Sequence, residues 1–235
     1  MNNIMGGLYR VSEWIMRFSV TNILWLLFNL PIVYVSFGLL YAEDMTQLIF
    51  AFITISILSP IFFFPATTAM FGVVRRWVMG DESASLVKSF WKFYKENYKK
   101  SLLGGLILVP IWIVWIVDYF YLSQFIPNLF IVFVVGIVFL SIFTIHFFAN
   151  LVHFELKLMT LIKNSFFLTI GKPFLTLALA ITNGTVFFVS FYIFTFAIPF
   201  FMGSVASYLS FVAFYSIVNQ FKSAQSENGT GDNTN

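Results

Sequence analysis

Long apolar runs alternate with short charged segments along the whole chain, and this pattern predicts membrane-spanning helices. A span needs about 20 mostly apolar residues. The last apolar run, 173–221, is long enough for two spans with a turn near Pro199, because a proline inside a helix costs about 3 kcal/mol; a single span over this run is the alternative. The six predicted spans are 18–42, 48–74, 101–122, 128–153, 174–197 and 200–219.

The positions of the charged residues predict the orientation of these spans. If the N-terminus is cytoplasmic, all 13 lysines and arginines fall in cytoplasmic segments. The charged residues of the outer loops are then Glu43, Asp44 and Asp118, all acidic. The positive-inside rule predicts this asymmetry. Both termini are therefore expected in the cytoplasm. The cytoplasmic segments in this orientation are 1–17, 75–100, 155–172 and 222–235.

Composition supports the membrane assignment. The chain is 60% hydrophobic and 10% charged, with a mean hydropathy of +0.90, whereas soluble domains contain about 25% charged residues. Residues 1–222 are expected to form one all-α membrane helix bundle, and the polar segment 223–235 is expected to be disordered. The N-terminus lacks a signal peptide's short apolar core, so the first span should stay in place.

A basic segment follows the second span. Gly80 is expected to end the preceding helix, and the next helix carries its lysines within an arc of about 60°. Trp91 and other apolar residues occupy the neighbouring arc. The predicted amphipathic helix lies on the inner membrane surface, or it docks on a partner in the manner of the coupling helices of ABC permeases. Its lysines are Lys88, Lys92, Lys95 and Lys99.

Two prolines, Pro60 and Pro65, interrupt the second span, and small residues follow them. Proline frees backbone carbonyls that lipid cannot satisfy. One interpretation is a broken helix that lines a substrate site, as in many transporters. The other is a kink beside a packing surface in which Thr68 and Gly72 have small-xxx-small spacing.

A polar stripe marks the fourth span. His146, Asn150 and His153 lie at positions i, i+4 and i+7, on one helix face. Ionisable groups within a span are candidates for proton relay or metal binding. The alternative is neutral side chains that form hydrogen bonds between helices, which is also the role expected of Asn22, Asn29, Asn183 and Gln124.

The sequence contains no soluble catalytic motif and no cysteine. A phosphate-binding glycine loop, a nucleophile elbow and an HExxH pair are all missing. Thiolate metal sites and disulfides are excluded as well. The basic loop is too small for a nucleic-acid interface. We therefore expect neither enzymatic activity nor a cofactor or metal.

Two stretches point to a known family: MGGLYRVSEWIMRFSVTNILWLLFNLP at the N-terminus and FFFPATTAMFGVVRRWVMGDESASLVKSFWKFYKENYKKS in the centre. Over roughly residues 5–105 the chain resembles the YesL family of bacterial membrane proteins of unknown function. The resemblance implies a multi-pass inner-membrane protein, often encoded beside sugar-uptake ABC transporters and glycan-degrading enzymes. It implies no activity and no catalytic residue.

Two functional hypotheses follow. The first is a non-enzymatic accessory or regulatory protein of a carbohydrate uptake system, in contact with the lipid bilayer and with an ABC sugar permease or a second copy of itself. The second is an independent small-solute transporter or channel, based on the prolines of the second span and the polar stripe of the fourth. An intramembrane enzyme that uses His146, His153 and Glu155 is a third class.

Overall fold

The computed structural model describes residues 2–81, 85–126 and 129–230, and every regular element in these ranges is a helix. This confirms the predicted all-α polytopic membrane bundle. Within these ranges, five helical segments are each long and apolar enough to cross a membrane, and the number is six if a bent pair of helices at the N-terminus counts as one span. The helices are α1 Asn2–Phe28, α2 Leu30–Gly38, α3 Met45–Leu58, α4 Phe64–Val78, α5 Leu86–Leu122, α6 Phe130–His153, α7 Leu158–Gly171, α8 Pro173–Phe188 and α9 Gly203–Thr230.

The first apolar segment is bent. Instead of one span over 18–42, a helix from Gly6 to Phe28 and a second from Leu30 to Tyr41 meet at an angle of 74°. Asn29, between them, has φ −98° and ψ 9°. Pro31 explains the break, because a proline lacks the N–H that would continue the α1 hydrogen bonds but fits the first turn of a new helix.

α3 and α4 form one span of 34 residues, Met45–Val78. The Asp44 side chain caps its first turn by accepting a hydrogen bond from the Gln47 N–H at 2.8 Å. Gly80 follows its other end with φ +84°, a conformation that favours glycine. The Gly80 and Asp81 N–H groups donate to carbonyls of the last turn, so α4 ends as the sequence predicts.

α5 is a single helix of 37 residues. At 1.5 Å per residue it is about 55 Å long, which exceeds the roughly 30 Å of hydrocarbon in a bilayer. The predicted amphipathic helix is therefore the first part of α5 and runs directly into the third span. A separate helix in the membrane plane does not form, because no glycine or proline lies between Leu86 and the start of the apolar run at Ser101.

The last apolar run forms two helical segments, Pro173–Ile193 and Ile198–Phe221, with the turn close to the predicted Pro199. Asn22 of α1 holds this turn. Its Nδ2 donates to the carbonyls of Ile198 and Pro199 at 2.9 and 2.8 Å, and its Oδ1 accepts from the Ser204 N–H at 3.0 Å. Asn22 thus satisfies backbone groups that the break in the helix leaves free.

Two predicted boundaries differ from the structure. Residues 223–230, for which disorder was expected, continue α9, since extending a formed helix is far less costly than starting one; 231–235 lie outside the described residues. The segment 155–172 contains the short apolar helix α7, packed against α6. The predicted start of the fourth span at 128 also lies outside the described residues, and α6 begins at Phe130.

The core lies where α4 crosses α5, α6 and α9. It is rich in aromatic rings, with Phe64, Phe71 and Phe148 in contact on α4 and α6. A second group of rings joins α1 to the end of α4, where Trp14 and Phe18 of α1 meet Trp77 edge to face. Such edge-to-face pairs add about 0.5–1.5 kcal/mol each beyond burial.

Candidate functional site

The lysines of the first part of α5 lie on its exposed side. We call this the lysine surface; it consists of Lys88, Lys92, Lys95, Lys99 and Trp91. Trp91 is 47% exposed, and the Lys95 Nζ lies over its ring, 4.6 Å from the centroid. Lys92 Nζ lies 3.8 Å from the Glu96 carboxylate. An exposed tryptophan is among the residues enriched at binding hot spots, and the lysine over its ring adds a cation–π contact.

The apolar side of the same segment packs against the protein itself. Phe90 is 1% exposed, and its ring centroid lies 5.2 Å from that of Phe28 on α1. Phe28 also contacts Tyr94, at 4.6 Å. Part of the hydrophobic face that was expected to meet lipid or a partner is therefore covered by α1 and α4, whereas Val87 and the lysine surface remain exposed.

A polar connection fixes where α5 starts. Arg76, near the end of α4, donates to Asp81 Oδ2 at 2.6 Å and to the Ser89 hydroxyl at 2.7 Å. Ser89 is 5% exposed. The guanidinium thus ties α4, the turn after it and α5 together, and a charge-assisted bond of this kind is stronger than a neutral one. Sequence reasoning assigned Arg76 to topology alone.

The chain remains helical across the two prolines of the second span. Ser59–Phe63 forms a π-helical turn that includes the buried Pro60, and α4 starts immediately afterwards with Pro65 in its first turn. The wider turn accommodates the missing proline N–H without unwinding the span. The residues after it pack tightly: an added Cβ at Gly72 would lie 2.5 Å from the Phe93 ring. The residues after the prolines are thus closely packed, and the π-helical turn also borders a cavity.

That cavity, of about 500 Å³, lies in the centre of the bundle. We call it the central cavity. Its walls come from α1, α3–α6, α8 and α9, and from the π-helical turn and the turn before α9. The lining side chains are mostly aromatic and aliphatic. Trp25 and Trp112 provide the largest side chains. A pocket of this size could hold a small ligand.

The polar groups around the central cavity are engaged with each other. The Trp25 indole N–H donates to Thr67 at 3.0 Å, and the Trp112 N–H donates to Thr144 at 3.2 Å. Asn183 of α8 donates to Ser210 of α9 at 3.0 Å. Several other lining hydroxyls donate to carbonyls of their own helix. The cavity therefore offers an apolar ligand a better fit than a sugar, because a sugar hydroxyl buried without a partner costs about 1–3 kcal/mol.

The structure buries His146 and Asn150 completely and places His153 among aromatic rings. His146 is 0% exposed, and neither of its ring nitrogens has a hydrogen-bond partner among the described residues. Asn150 donates to the His146 carbonyl and to Ser165 of α7, at 2.9 and 3.1 Å. The predicted hydrogen bond between helices thus exists at Asn150. His153 lies 4.6 Å from the Phe154 ring, with Phe214 on another side.

A metal site is not apparent in the part of the chain that the structure describes, where no three His, Asp or Glu side chains converge. The most important contact that sequence reasoning missed is Asn22, since its three partners are 176 to 182 residues away. Pro31 was also overlooked, although the Asn-Leu-Pro sequence is a recognisable helix stop.

Comparisons with known proteins identify a family and two relatives of this chain. The model of the family described as "Protein of unknown function, DUF624" matches residues 44–119, that is, from α3 through α5. The chain is 30% identical to the uncharacterized protein YteU of Bacillus subtilis (strain 168) over 218 residues, covering 91% of this chain and 86% of YteU. It is 30% identical to the uncharacterized protein YesL of the same strain over 223 residues, covering 92% of this chain and 94% of YesL.

No solved structure matches the fold significantly. The identity to the two Bacillus proteins extends over nearly the whole chain, and the family model covers the lysine surface and the π-helical turn. The chain therefore belongs to the YesL-like DUF624 family of multi-pass helical membrane proteins.

Proposed function

We propose that this protein is a non-enzymatic accessory or regulatory component of an ABC-type carbohydrate uptake system in the bacterial cell membrane. The lysine surface carries the proposal. It lies on the first part of α5, whose other face packs against α1 and α4, so four lysines and Trp91 are exposed without a large rearrangement. The partner is an ABC sugar permease with an acidic cytoplasmic surface.

Two further points support this assignment over sugar transport by the chain itself. The central cavity is apolar and its polar groups are already paired, so it is poorly suited to a sugar. The family resemblance also associates such chains with sugar-uptake ABC transporters. An accessory role needs a docking surface and no transport path.

The experiment is co-purification of the tagged protein from mild detergent, with identification of any permease that accompanies it. The double variant Lys92→Glu/Lys95→Glu should lose the permease. Lys157→Glu/Lys163→Glu is the matched control, because it reverses two exposed lysines elsewhere on the cytoplasmic side of the proposed topology. Retention of the permease by the first variant, or equal loss with the control, would reject docking through the lysine surface.

The central cavity favours a second candidate, the transport of a small apolar solute. Ala206 lines the cavity and is 8% exposed, so Ala206→Phe would fill part of it. If the protein is a transporter, uptake should fall in this variant at unchanged expression. The accessory role would be favoured if cells with A206F grow normally on the sugar of the associated system and cells with Lys92→Glu/Lys95→Glu do not.

A further inference from the structure

A second cavity of about 500 Å³ lies between the end of α6, α7, the residue that precedes α8 and the middle of α9. We call it the Lys172 pocket. Its mouth is bordered by apolar rings that the protein leaves open: Phe167 is 68% exposed and Phe221 is 51% exposed. In a membrane protein such rings face lipid. The pocket is therefore accessible from the bilayer at the end of the bundle where the basic residues lie.

The charge of the pocket is positive. Lys172 lies at the junction of α7 and α8, and its Nζ is 5.1 Å from the centre of the Phe221 ring. None of the residues known to line the pocket is a carboxylate, within the part of the chain that the structure describes. A lysine that is held over an aromatic ring and beside apolar walls attracts an anion.

Asn150, one of the residues that line the pocket, has an unused hydrogen-bond acceptor. Asn150 is 1% exposed, and its Oδ1 has no partner among the described residues. Both donors of its amide are occupied, by the His146 carbonyl and the Ser165 hydroxyl. The orientation of the amide is thus fixed, and a buried carbonyl oxygen of this kind requires a donor.

These three features define a ligand. It has an anionic group for Lys172, a hydroxyl donor for Asn150 and an apolar chain that leaves past Phe167 and Phe221. We propose that the Lys172 pocket binds one anionic phospholipid with a hydroxyl-bearing headgroup, of the phosphatidylglycerol type. A zwitterionic lipid would place a second cation near Lys172, and a free phosphate would leave the apolar mouth uncovered.

Native mass spectrometry of the full chain, incubated with phosphatidylglycerol or phosphatidylcholine, tests the proposal. We expect one phosphatidylglycerol per chain, bound about five-fold more tightly than phosphatidylcholine. Lys172→Gln should remove this preference, and the matched variant Lys163→Gln, at an exposed lysine of α7, should keep it. Equal binding of both lipids by the unmodified protein would overturn the proposal.

A second variant blocks the pocket without touching its polar groups. A Cβ added at Gly171 meets no atom within 4 Å, so Gly171→Leu should fold and occupy the pocket. It should lose the bound lipid, whereas Gly184→Leu, at a glycine equally free of neighbours on α8, should retain it. If the G171L protein is folded, as judged by size-exclusion chromatography, and still retains the lipid, then the lipid binds elsewhere.

Two probes examine the headgroup. Phosphatidylmethanol has the same charge but no hydroxyl, so it should bind about five-fold more weakly than phosphatidylglycerol if Asn150 accepts a hydrogen bond. Inorganic phosphate alone should not raise the thermal stability of the lipid-free protein. Equal affinity for phosphatidylmethanol would refute the contact with Asn150. Stabilisation by phosphate equal to that by lipid would identify a free-phosphate site instead.

Discussion

The α4–α5 and α6–α7 hairpins each consist of two consecutive helices, but the helices pack more closely in the first hairpin than in the second. In the first, glycines bring the helices into direct contact: a Cβ at Gly105 would lie 2.8 Å from the Pro60 Cα. In the second, Gly171 has open space around it and the Lys172 pocket lies beside it. A charged side chain, Arg76, bonds to Ser89 across the first hairpin, whereas the neutral Asn150 bonds to Ser165 across the second.

This difference is consistent with the two proposed roles, docking at the first hairpin and lipid binding at the second. A closely packed hairpin holds α5 in a fixed position, which a docking surface requires. The looser hairpin leaves room for a ligand at the membrane boundary. Variants in the two hairpins should therefore differ in the stability of the protein in detergent, measured by unfolding with SDS.

The largest effect is expected at the tight contact. Gly105→Leu forces a side chain against the Pro60 backbone, which cannot move as a flexible side chain would, so we expect a loss of about 3 kcal/mol. Gly171→Leu in lipid-free detergent should change stability by less than about 0.5 kcal/mol. Similar losses at both glycines would mean that the two hairpins are packed alike.

The next effect concerns the polar tie of the first hairpin. Arg76→Met removes the bonds to Asp81 and to the buried Ser89, and we expect a loss of about 1–2 kcal/mol. Arg76→Lys keeps the charge but lacks the planar fork, so it should recover only part of the loss. Full recovery with lysine would show that charge alone matters here.

The polar tie of the second hairpin should be weaker. Asn150→Leu and Ser165→Ala, combined in a double-mutant cycle, should give a coupling energy of about 0.6 kcal/mol, the average for hydrogen bonds within membranes. The stability loss of the single variant Asn150→Leu should also be small, because leucine removes the unpaired Oδ1 of Asn150. A coupling energy as large as the Arg76 effect would contradict the ranking of the two ties.

The smallest effect on stability is expected at the lysine surface. Replacing Lys88, Lys92, Lys95 and Lys99 by alanine should change the free energy of unfolding by less than about 0.5 kcal/mol, since exposed substitutions rarely do more. The same variant should lose its permease in co-purification. A clear loss of stability would indicate that these lysines support the fold.

Much of this fold could be predicted from the sequence, because the runs of apolar residues that form spans are long and their length is set by the bilayer. Gly80 was predicted to end α4 because it is the glycine that follows the last apolar turn. The 74° bend at Asn29 could have been predicted as well, since Pro31 follows closely.

The remaining features depend on contacts between distant parts of the chain. Helical periodicity placed Phe90 and Lys92 on different faces of one helix, but it could not show that Phe28 covers Phe90. Likewise, Asn22 was recognised as polar within a span, while its bonds to Ile198 and Pro199 arise only from the packing of α1 against the α8–α9 turn. The unpaired Asn150 Oδ1 is another feature that only the packed structure reveals.

The proposed topology places the lysine surface in the cytoplasm and the other end of the same helix on the opposite side of the membrane. The chain has no cysteine, so single cysteines report on position directly. The measurement is labelling of Lys92→Cys and Asp118→Cys with a membrane-impermeant maleimide, in intact cells and in inside-out vesicles. We predict that Lys92→Cys reacts only in inside-out vesicles and Asp118→Cys only in intact cells. Labelling of Lys92→Cys from outside intact cells would contradict the topology, and docking to a cytoplasmic surface with it.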